Sequence, residues 1–284
     1  MFGTPRYINA AGRLIDLSVP KVMGILNVTP DSFYSGSRHS TDEDIINTAV
    51  KMVQEGADII DVGGYSSRPG AGDVSKEDEG RRVFRAIKLI LKEIPGAIIS
   101  VDTFRAEVAA EAIEGCGAHI INDISGSEAD EKMFELVTRL NVPYILMHMR
   151  GTPATMKDFS DYDDIVADLL KWFGTKIYDL RAAGVKDIIL DPGFGFAKTI
   201  DQNFEILRRL KEFSVAELPL LAGLSRKSSV WKTLGISPDE ALNGTTALNA
   251  VALMNGADII RVHDVKEAVE CVKLAMKLRK TEFF

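Results

Sequence analysis

One phrase recurs along the chain and constrains its fold more than any other feature. Gln54-Glu55-Gly56-Ala57-Asp58-Ile59-Ile60-Asp61-Val62 is one copy, and Met254-Asn255-Gly256-Ala257-Asp258-Ile259-Ile260-Arg261-Val262 is another. Gly115-Cys116-Gly117-Ala118-His119-Ile120-Ile121-Asn122-Asp123 is a third, and Ala183-Gly184-Val185-Lys186-Asp187-Ile188-Ile189-Leu190-Asp191 a looser fourth. Each reads as a helix ended by glycine, a short β-branched strand, then a polar residue. Glycine suits the left-handed position after the last helical turn. The unbroken Ile/Val run suits a parallel strand covered on both faces. A chain built this way alternates α and β around a buried parallel sheet.

The same grammar predicts further strands at 22–28, 98–103, 143–149 and 218–225, about eight in all. Helical patterns fall at 41–54, 76–93, 105–114, 130–140, 162–183, 200–211, 238–255 and 265–279. Ser40 or Thr41 caps the first of them, with Glu43 and Asp44 in its opening turn. A length of 284 residues allows two domains of about 140 residues or one α/β barrel of roughly 250. Eight units without a break in composition favour one domain over 1–284, a (β/α)8 TIM barrel. An open doubly wound sheet is the alternative. Within the leader 1–20, residues 7–16 read as a short β-hairpin around Ala11-Gly12, placed to plug the N-terminal mouth of the barrel.

Composition narrows the partners. Hydrophobic residues at 46% exclude a disordered chain. Lys and Arg number 34 against 41 Asp and Glu, a net charge of −7. That argues against a nucleic-acid partner, which needs a basic face, but leaves room for a local cationic pocket. Cys116 and Cys271 lie in no CxxC pair or Cys/His cluster and read as packed side chains in a reducing compartment. The N-terminus carries no signal-peptide pattern. No apolar run reaches the roughly 18 residues of a membrane span. The expectation is a cytoplasmic protein without a membrane partner.

In a barrel the loops after the strands form the working face. Nearly every predicted strand closes on polar groups at that end. They are Asn27, Asp61, Asp102, Asn122 and Asp123, His148, Asp191, Ser225 to Ser228, and Arg261 with His263. One such Asp is commonly a helix N-cap; eight strand ends behaving alike are not. Asp102, Asn122 and Asp191 form an acceptor-rich group suited to a planar, donor-rich ring. A structural polar network and a Mg²⁺ site are the other readings of that group. A second group is cationic: Arg68, Arg226, Lys227, Arg261 and His263. Arg261 and His263 are two apart on one strand and share a face. The last two barrel strands commonly supply a phosphate site. His119 begins a strand at the opposite end and reads as packing, and His39 as solvated. His148 is placed to support the site.

Five motifs in order resemble the dihydropteroate synthase family over almost the whole chain. They are Gly24-Ile25-Leu26-Asn27-Val28-Thr29-Pro30-Asp31-Ser32-Phe33 and Asp61-Val62-Gly63-Gly64 with Ser66-Ser67-Arg68-Pro69. Asp191-Pro192-Gly193-Phe194-Gly195-Phe196, Ser225-Arg226-Lys227-Ser228 and Arg261-Val262-His263-Asp264 follow. The resemblance implies a barrel, often dimeric, that joins 6-hydroxymethyl-7,8-dihydropterin diphosphate to p-aminobenzoate, a reaction of folate biosynthesis inhibited by sulfonamides. It implies a pterin pocket of Asp102, Asn122, Asp191, Lys227 and Met147. It implies a diphosphate clamp of Asn27, Arg68, Arg261 and His263, with Asn27 touching Mg²⁺. The aminobenzoate side would be Phe33, Ser67, Arg68, Pro69, Phe196, Lys227 and Ser228. Lys227, Arg261, His263, Asp102, Asn122 and Asp191 would carry the catalysis.

The sequence also departs from the family pattern. Ser35 stands where the first loop usually has Asp, Tyr65 where Glu is common, and Ser67 where Thr is common. A corrinoid-linked methyltetrahydrofolate methyltransferase is the rival enzyme on the same barrel. A pterin-binding barrel without catalysis is the rival binding module. With no pyrophosphokinase segment before Val22, the expectation is a single-function chain.

Overall fold

The computed structural model describes residues 7–29, 41–65, 74–152 and 155–280. Eight parallel strands form the centre: β3 (Lys21–Asn27), β4 (Ile59–Gly63), β5 (Ile99–Asp102), β6 (Ile120–Asp123), β7 (Tyr144–Met147), β8 (Ile188–Asp191), β9 (Leu221–Ala222) and β10 (Ile259–Val262). Each pairs with its neighbour in order, and β10 returns to pair with β3. A bridge between Leu190 and Leu220 joins β8 to β9 and closes the ring. The expected (β/α)8 barrel is therefore formed.

The helices follow the sequence pattern closely. They are α1 (Asp42–Glu55), α2 (Lys76–Glu93), α3 (Ala106–Glu114), α4 (Lys132–Leu140), α5 (Ile165–Ala182), α6 (Ile200–Arg208), α7 (Ser228–Leu234), α8 (Leu242–Met254) and α9 (Val265–Lys280). Thr41 caps α1 and shares a reciprocal capping box with Asp44. At its other end Gly56 takes φ 99°, the left-handed turn that the recurring phrase predicts.

Two expectations on boundaries are corrected, and one helix is added. The strand expected at 218–225 is only Leu221–Ala222. Pro219 has no N–H to give, Leu220 N–H goes to the Asp258 carboxylate at 2.9 Å, and the chain turns at Arg226 with φ 53°. The helix expected from 162 begins at Ile165, because the Asp164 side chain accepts from Val166 N and Ala167 N and fixes the start there. Helix α7 was not expected. It is short, and its signal is the left-handed Gly235 that ends it.

The N-terminal hairpin consists of β1 (Tyr7–Ala10) and β2 (Arg13–Asp16), turning at Ala11-Gly12. Its buried Ile8, Ala10 and Ile15, with Leu17, pack on Met23, Ile59, Ile120, Ile145, Ile189, Leu221 and Ile259. Those seven lie one to a strand on seven barrel strands, so the hairpin plugs the N-terminal mouth as expected. The strand period of two then decides what sits above. Two residues beyond Ile59, Ile120, Ile189 and Ile259 come Asp61, Asn122, Asp191 and Arg261. An apolar floor therefore carries a polar ring at the opposite mouth.

Candidate active site

Asp61, Asn122 and Arg261 of the polar ring form one hydrogen-bonded network with Asp102. The Asp61 carboxylate is fully buried. Its Oδ2 accepts from Asn122 Nδ2 at 3.0 Å and from Arg261 Nε at 2.6 Å. Arg261 Nη2 donates to Asp102 Oδ2 at 2.5 Å. One guanidinium thus serves two carboxylates. Burial drives Asp102 up to about 7, and its neighbours Asp61, Glu79 and Asp123 act in the same direction against the pull of Arg261. Burial opposes the charge of Arg261 too, but Asp61 and Asp102 outweigh it and hold the guanidinium above its ordinary value.

Across the mouth, the loop after β8 builds the second half. Asp191 Oδ1 accepts from Gly193 N at 2.8 Å. Gly193 has φ 72° and runs so close to β7 that a Cβ would sit 2.1 Å from His148 O. Only glycine fits there. Lys227, the residue before α7, reaches over this loop. Its ammonium donates to Phe194 O and lies 4.5 Å from the centre of the Phe196 ring. Burial pulls Lys227 down to about 8, opposed by Asp191 and reinforced by Arg261. Burial likewise raises Asp191, with Lys227 as the chief opposing charge.

Lys198 is enclosed beneath. It contacts His148 Nδ1 at 3.1 Å, His148 O at 3.3 Å and Phe196 O at 2.9 Å. Burial lowers Lys198 to about 7, with Asp191 opposing. Burial and then the Lys198 charge lower His148 to about 2, so its imidazole is neutral and Nδ1 accepts. Three carboxylates, Asp61, Asp102 and Asp191, therefore face three cationic side chains, Arg261, Lys227 and Lys198. Such a mouth suits a flat ring with both donors and acceptors, with cations beside it for an anionic tail. No protein nucleophile is paired with a base among these groups.

The comparisons with known proteins agree on this pocket's lineage. A family model described as pterin binding enzyme matches residues 23–263. The dihydropteroate synthase of Escherichia coli K12 is 46% identical over 267 residues, covering 93% of this chain and 94% of that protein. The chain belongs to the dihydropteroate synthase family. The synthase of Synechocystis is 44% identical over 257 residues, covering 89% of this chain and 88% of that protein. The solved Yersinia pestis synthase with a sulfonamide drug matches with TM-score 0.91 and 40% identity, over 98% of this chain and 100% of that one. The Xanthomonas albilineans synthase in complex with 7,8-dihydropteroate matches at 0.87 and 34%, over 98% and 100%.

Among the residues the sequence pointed to, the structure brings Asp102, Asn122, Asp191, Lys227 and Arg261 to one mouth, with Phe196 against the Lys227 ammonium. Met147 follows Ile145 on the inward side of β7 and is buried with Met149, Ile124, Met156 and Ala197. Asn27 ends β3, and its Oδ1 lies 3.5 Å from where a Gly63 Cβ would be. His263 is held through Nδ1, 3.0 Å from Ser225 Oγ. Ser228 opens α7 beside Lys227. Phe33, Ser67, Arg68 and Pro69 lie outside the described residues, as do Ser35 and His39. Tyr65 is described and sets its ring edge-on to Phe104 at 5.2 Å.

Arg226 does not join the synthase pocket. Its Nε and Nη2 grip Asp264 at 2.9 and 2.8 Å, and Nη1 caps the Asp239 carbonyl at 3.1 Å. The φ of 53° at this residue turns its side chain away from neighbouring Lys227. Asp123 also faces elsewhere, accepting from Ser125, Ser127 and the Tyr144 hydroxyl. His119 packs as expected, its Nδ1 accepting from Ile99 N at 3.1 Å. The reading of the sequence assigned no role to Asp61, Ser225 or Lys198. Inward parity with Ile59 marks Asp61; the other two become evident only through partners distant in sequence.

Proposed function

We propose that the chain acts as its family name describes, condensing 6-hydroxymethyl-7,8-dihydropterin diphosphate with p-aminobenzoate to give 7,8-dihydropteroate and pyrophosphate. The observation that carries this reading is the single mouth shared by Asp102, Asn122, Asp191, Lys227 and Arg261. The reaction breaks the bond between the exocyclic methylene and the diphosphate oxygen, and the electron pair leaves with diphosphate. The ring nitrogen lone pairs stabilise the resulting cation, the aryl amine attacks the methylene, and the amine gives up a proton. Asp191 and Asn122 accept from the ring's amino edge, Asp102 accepts from a ring N–H, and Lys227 donates to the ring carbonyl. Met147 packs against the ring face. Arg261 and His263, with Arg68, neutralise the leaving diphosphate. Phe196, Lys227 and Ser228 line the aminobenzoate side with Phe33, Ser67, Arg68 and Pro69.

Asn27 fits a metal contact. Mg²⁺ retains waters and phosphate oxygens and needs few protein ligands. Among the described residues no cluster of three His, Cys, Asp or Glu would cage an ion, so one amide oxygen at a strand end suits an ion brought by the diphosphate. Such an ion would neutralise charge on the leaving group.

Pyrophosphate release measured with each substrate alone and with both tests the reaction. Release is expected only with both, with competition by a sulfonamide against p-aminobenzoate. Chelating Mg²⁺ is expected to slow it by at least about tenfold. Pterin binding without release would support the silent barrel, and methyl transfer the rival enzyme.

The cytoplasmic expectation is supported by two buried free cysteines, and no described helix is long and apolar enough to cross a membrane. One domain over 1–284 is supported by the closed ring and its plug. A homodimer is supported by α8, which is mostly apolar yet leaves Val251 and Met254 exposed at 42% and 50%, while α9, bonded to it through Arg279 and Leu253 O, leaves Leu274 and Leu278 exposed at 68% and 63%. A helix of that kind is normally covered. Val251→Lys with Met254→Lys is expected to convert dimer to monomer in sedimentation velocity; an unchanged dimer places the interface elsewhere.

A further inference from the structure

Asp61 is the one carboxylate of the ring that no substrate contact explains, and it is the most deeply placed. It lies two residues below Gly63 on the inward face of β4, beside Ile25 of β3 and Ser100 of β5. Both of its partners grip the same oxygen, and Oδ1 is buried without one. Asn122 gives its amide N–H to Asp61, so its Oδ1 is left to act as an acceptor. Arg261 gives Asp61 its Nε.

The other end of the same guanidinium occupies Asp102. A guanidinium edge and a pterin ring N–H both present planar donors, so the chain's own arginine takes an acceptor the ring needs. The ring therefore competes with Nη2 for Asp102 Oδ2. Arg261 cannot leave altogether, since that would strand a buried carboxylate, which is strongly unfavourable. Rotation about the Nε end satisfies both demands. Gly63 and Gly223 put no side chain beside this pair: a Cβ at the first would come within 3.4 Å of Asp102, and one at the second within 4.0 Å of Arg261 Cβ. His263 stands two residues further along the strand, where the cationic end of the site lies.

We propose that Asp61 is a positioning residue that holds Arg261 by Nε as a pivot, so that the terminal guanidinium nitrogens exchange Asp102 for diphosphate as the pterin ring enters. This rests on the reading of the site as a pterin diphosphate pocket. It makes the two halves of that substrate cooperative. Pyrophosphate draws Arg261 away and uncovers Asp102; the ring displaces Arg261 and offers it to pyrophosphate.

Calorimetry on the whole chain with 6-hydroxymethyl-7,8-dihydropterin and inorganic pyrophosphate tests this. In the wild type each ligand is expected to raise the affinity of the other by about 5–10-fold, equally in both directions. Arg261→Met is expected to reduce this coupling to below about twofold. Asp61→Asn, nearly isosteric, is expected to weaken pyrophosphate binding by about tenfold and to leave the KM for p-aminobenzoate within about twofold. A merely structural residue would lower the melting temperature and affect both sides alike. Asp61→Ser, which keeps a small acceptor, carries the same expectation if the amide variant fails to fold. Wild-type coupling within twofold of none, or wild-type pyrophosphate affinity in the Asp61 variants, overturns the proposal. Failure of either ligand to bind the wild type would instead overturn the functional reading.

Discussion

Lys227→Ala is expected to lower kcat/KM for the dihydropterin diphosphate by about 10²–10³-fold, the largest loss from any single truncation in this site. Lys227 acts on three surfaces at once. Its charge opposes the burial that raises Asp191, so without it Asp191 rises further. Its ammonium is a donor beside the ring, and its stem passes Gly195 so closely that a Cβ there would sit 3.0 Å from Cδ. It also lies against Phe196 on the aminobenzoate side. Both KM values should therefore rise while kcat falls, which separates Lys227 from a residue that binds one substrate. The pH profile gives a second readout. With Lys227 near 8, the wild-type rate should decline above that pH as the ammonium loses its proton. The alanine variant should lack that limb. A variant within about threefold of wild type at neutral pH would remove Lys227 from the site.

Much of the barrel was legible because its determinants are local. The glycine after α1 and the Ile-Ile pair of β4 encode a helix end and a doubly covered strand within nine residues. The same holds at β6, β8 and β10. The exception is β9, where Pro219 and Gly223 flank a pair of paired residues and the closing contact lies between Leu190 and Leu220, 30 positions apart. Local pattern cannot report a pairing made by a distant partner. Helix α7 was hidden for a related reason: seven residues show too little periodicity for a period of 3.6 to be visible.

The site divides in the same way. Asp102, Asn122, Asp191 and Lys227 were visible because each closes a strand or begins the turn after it. Arg261 was visible as a cation, but its partners were not. Its link to Asp61 spans 200 positions and that to Asp102 spans 159. Arg226 shows the converse: its sequence context matches that of Lys227, yet one left-handed residue sends it to Asp264. Charge type and strand-end position thus identify the candidates, and backbone conformation selects among them.

Asp191→Asn is expected to reduce dihydropterin affinity by at least about 10²-fold, the usual scale for truncating one member of a buried charged pair. The same change should not weaken the fold at neutral pH. The amide oxygen can still accept from Gly193 N, so the turn after β8 keeps its hydrogen bond. Burial raises the Asp191 pKa above its value of 3.8 in the unfolded chain. The folded protein therefore binds the extra proton, and this carboxylate lowers stability as pH rises from about 4 through its raised folded value. Removing it abolishes that loss. Lys198 and Lys227, at about 7 and 8 against an ordinary 10.5, are both held up by Asp191. Without it they fall further, and the unfolded chain then binds more protons than the folded one from a lower pH onward. Both changes make stability rise more steeply, or fall less, with pH. The melting temperature of Asp191→Asn relative to wild type should accordingly increase between pH 4 and pH 8 while binding is lost. A variant that becomes progressively less stable over that range would show that Asp191 is ionised and net stabilising in the protein without substrates. Asp191 would then owe its place in the barrel to folding as well as to the ring it binds.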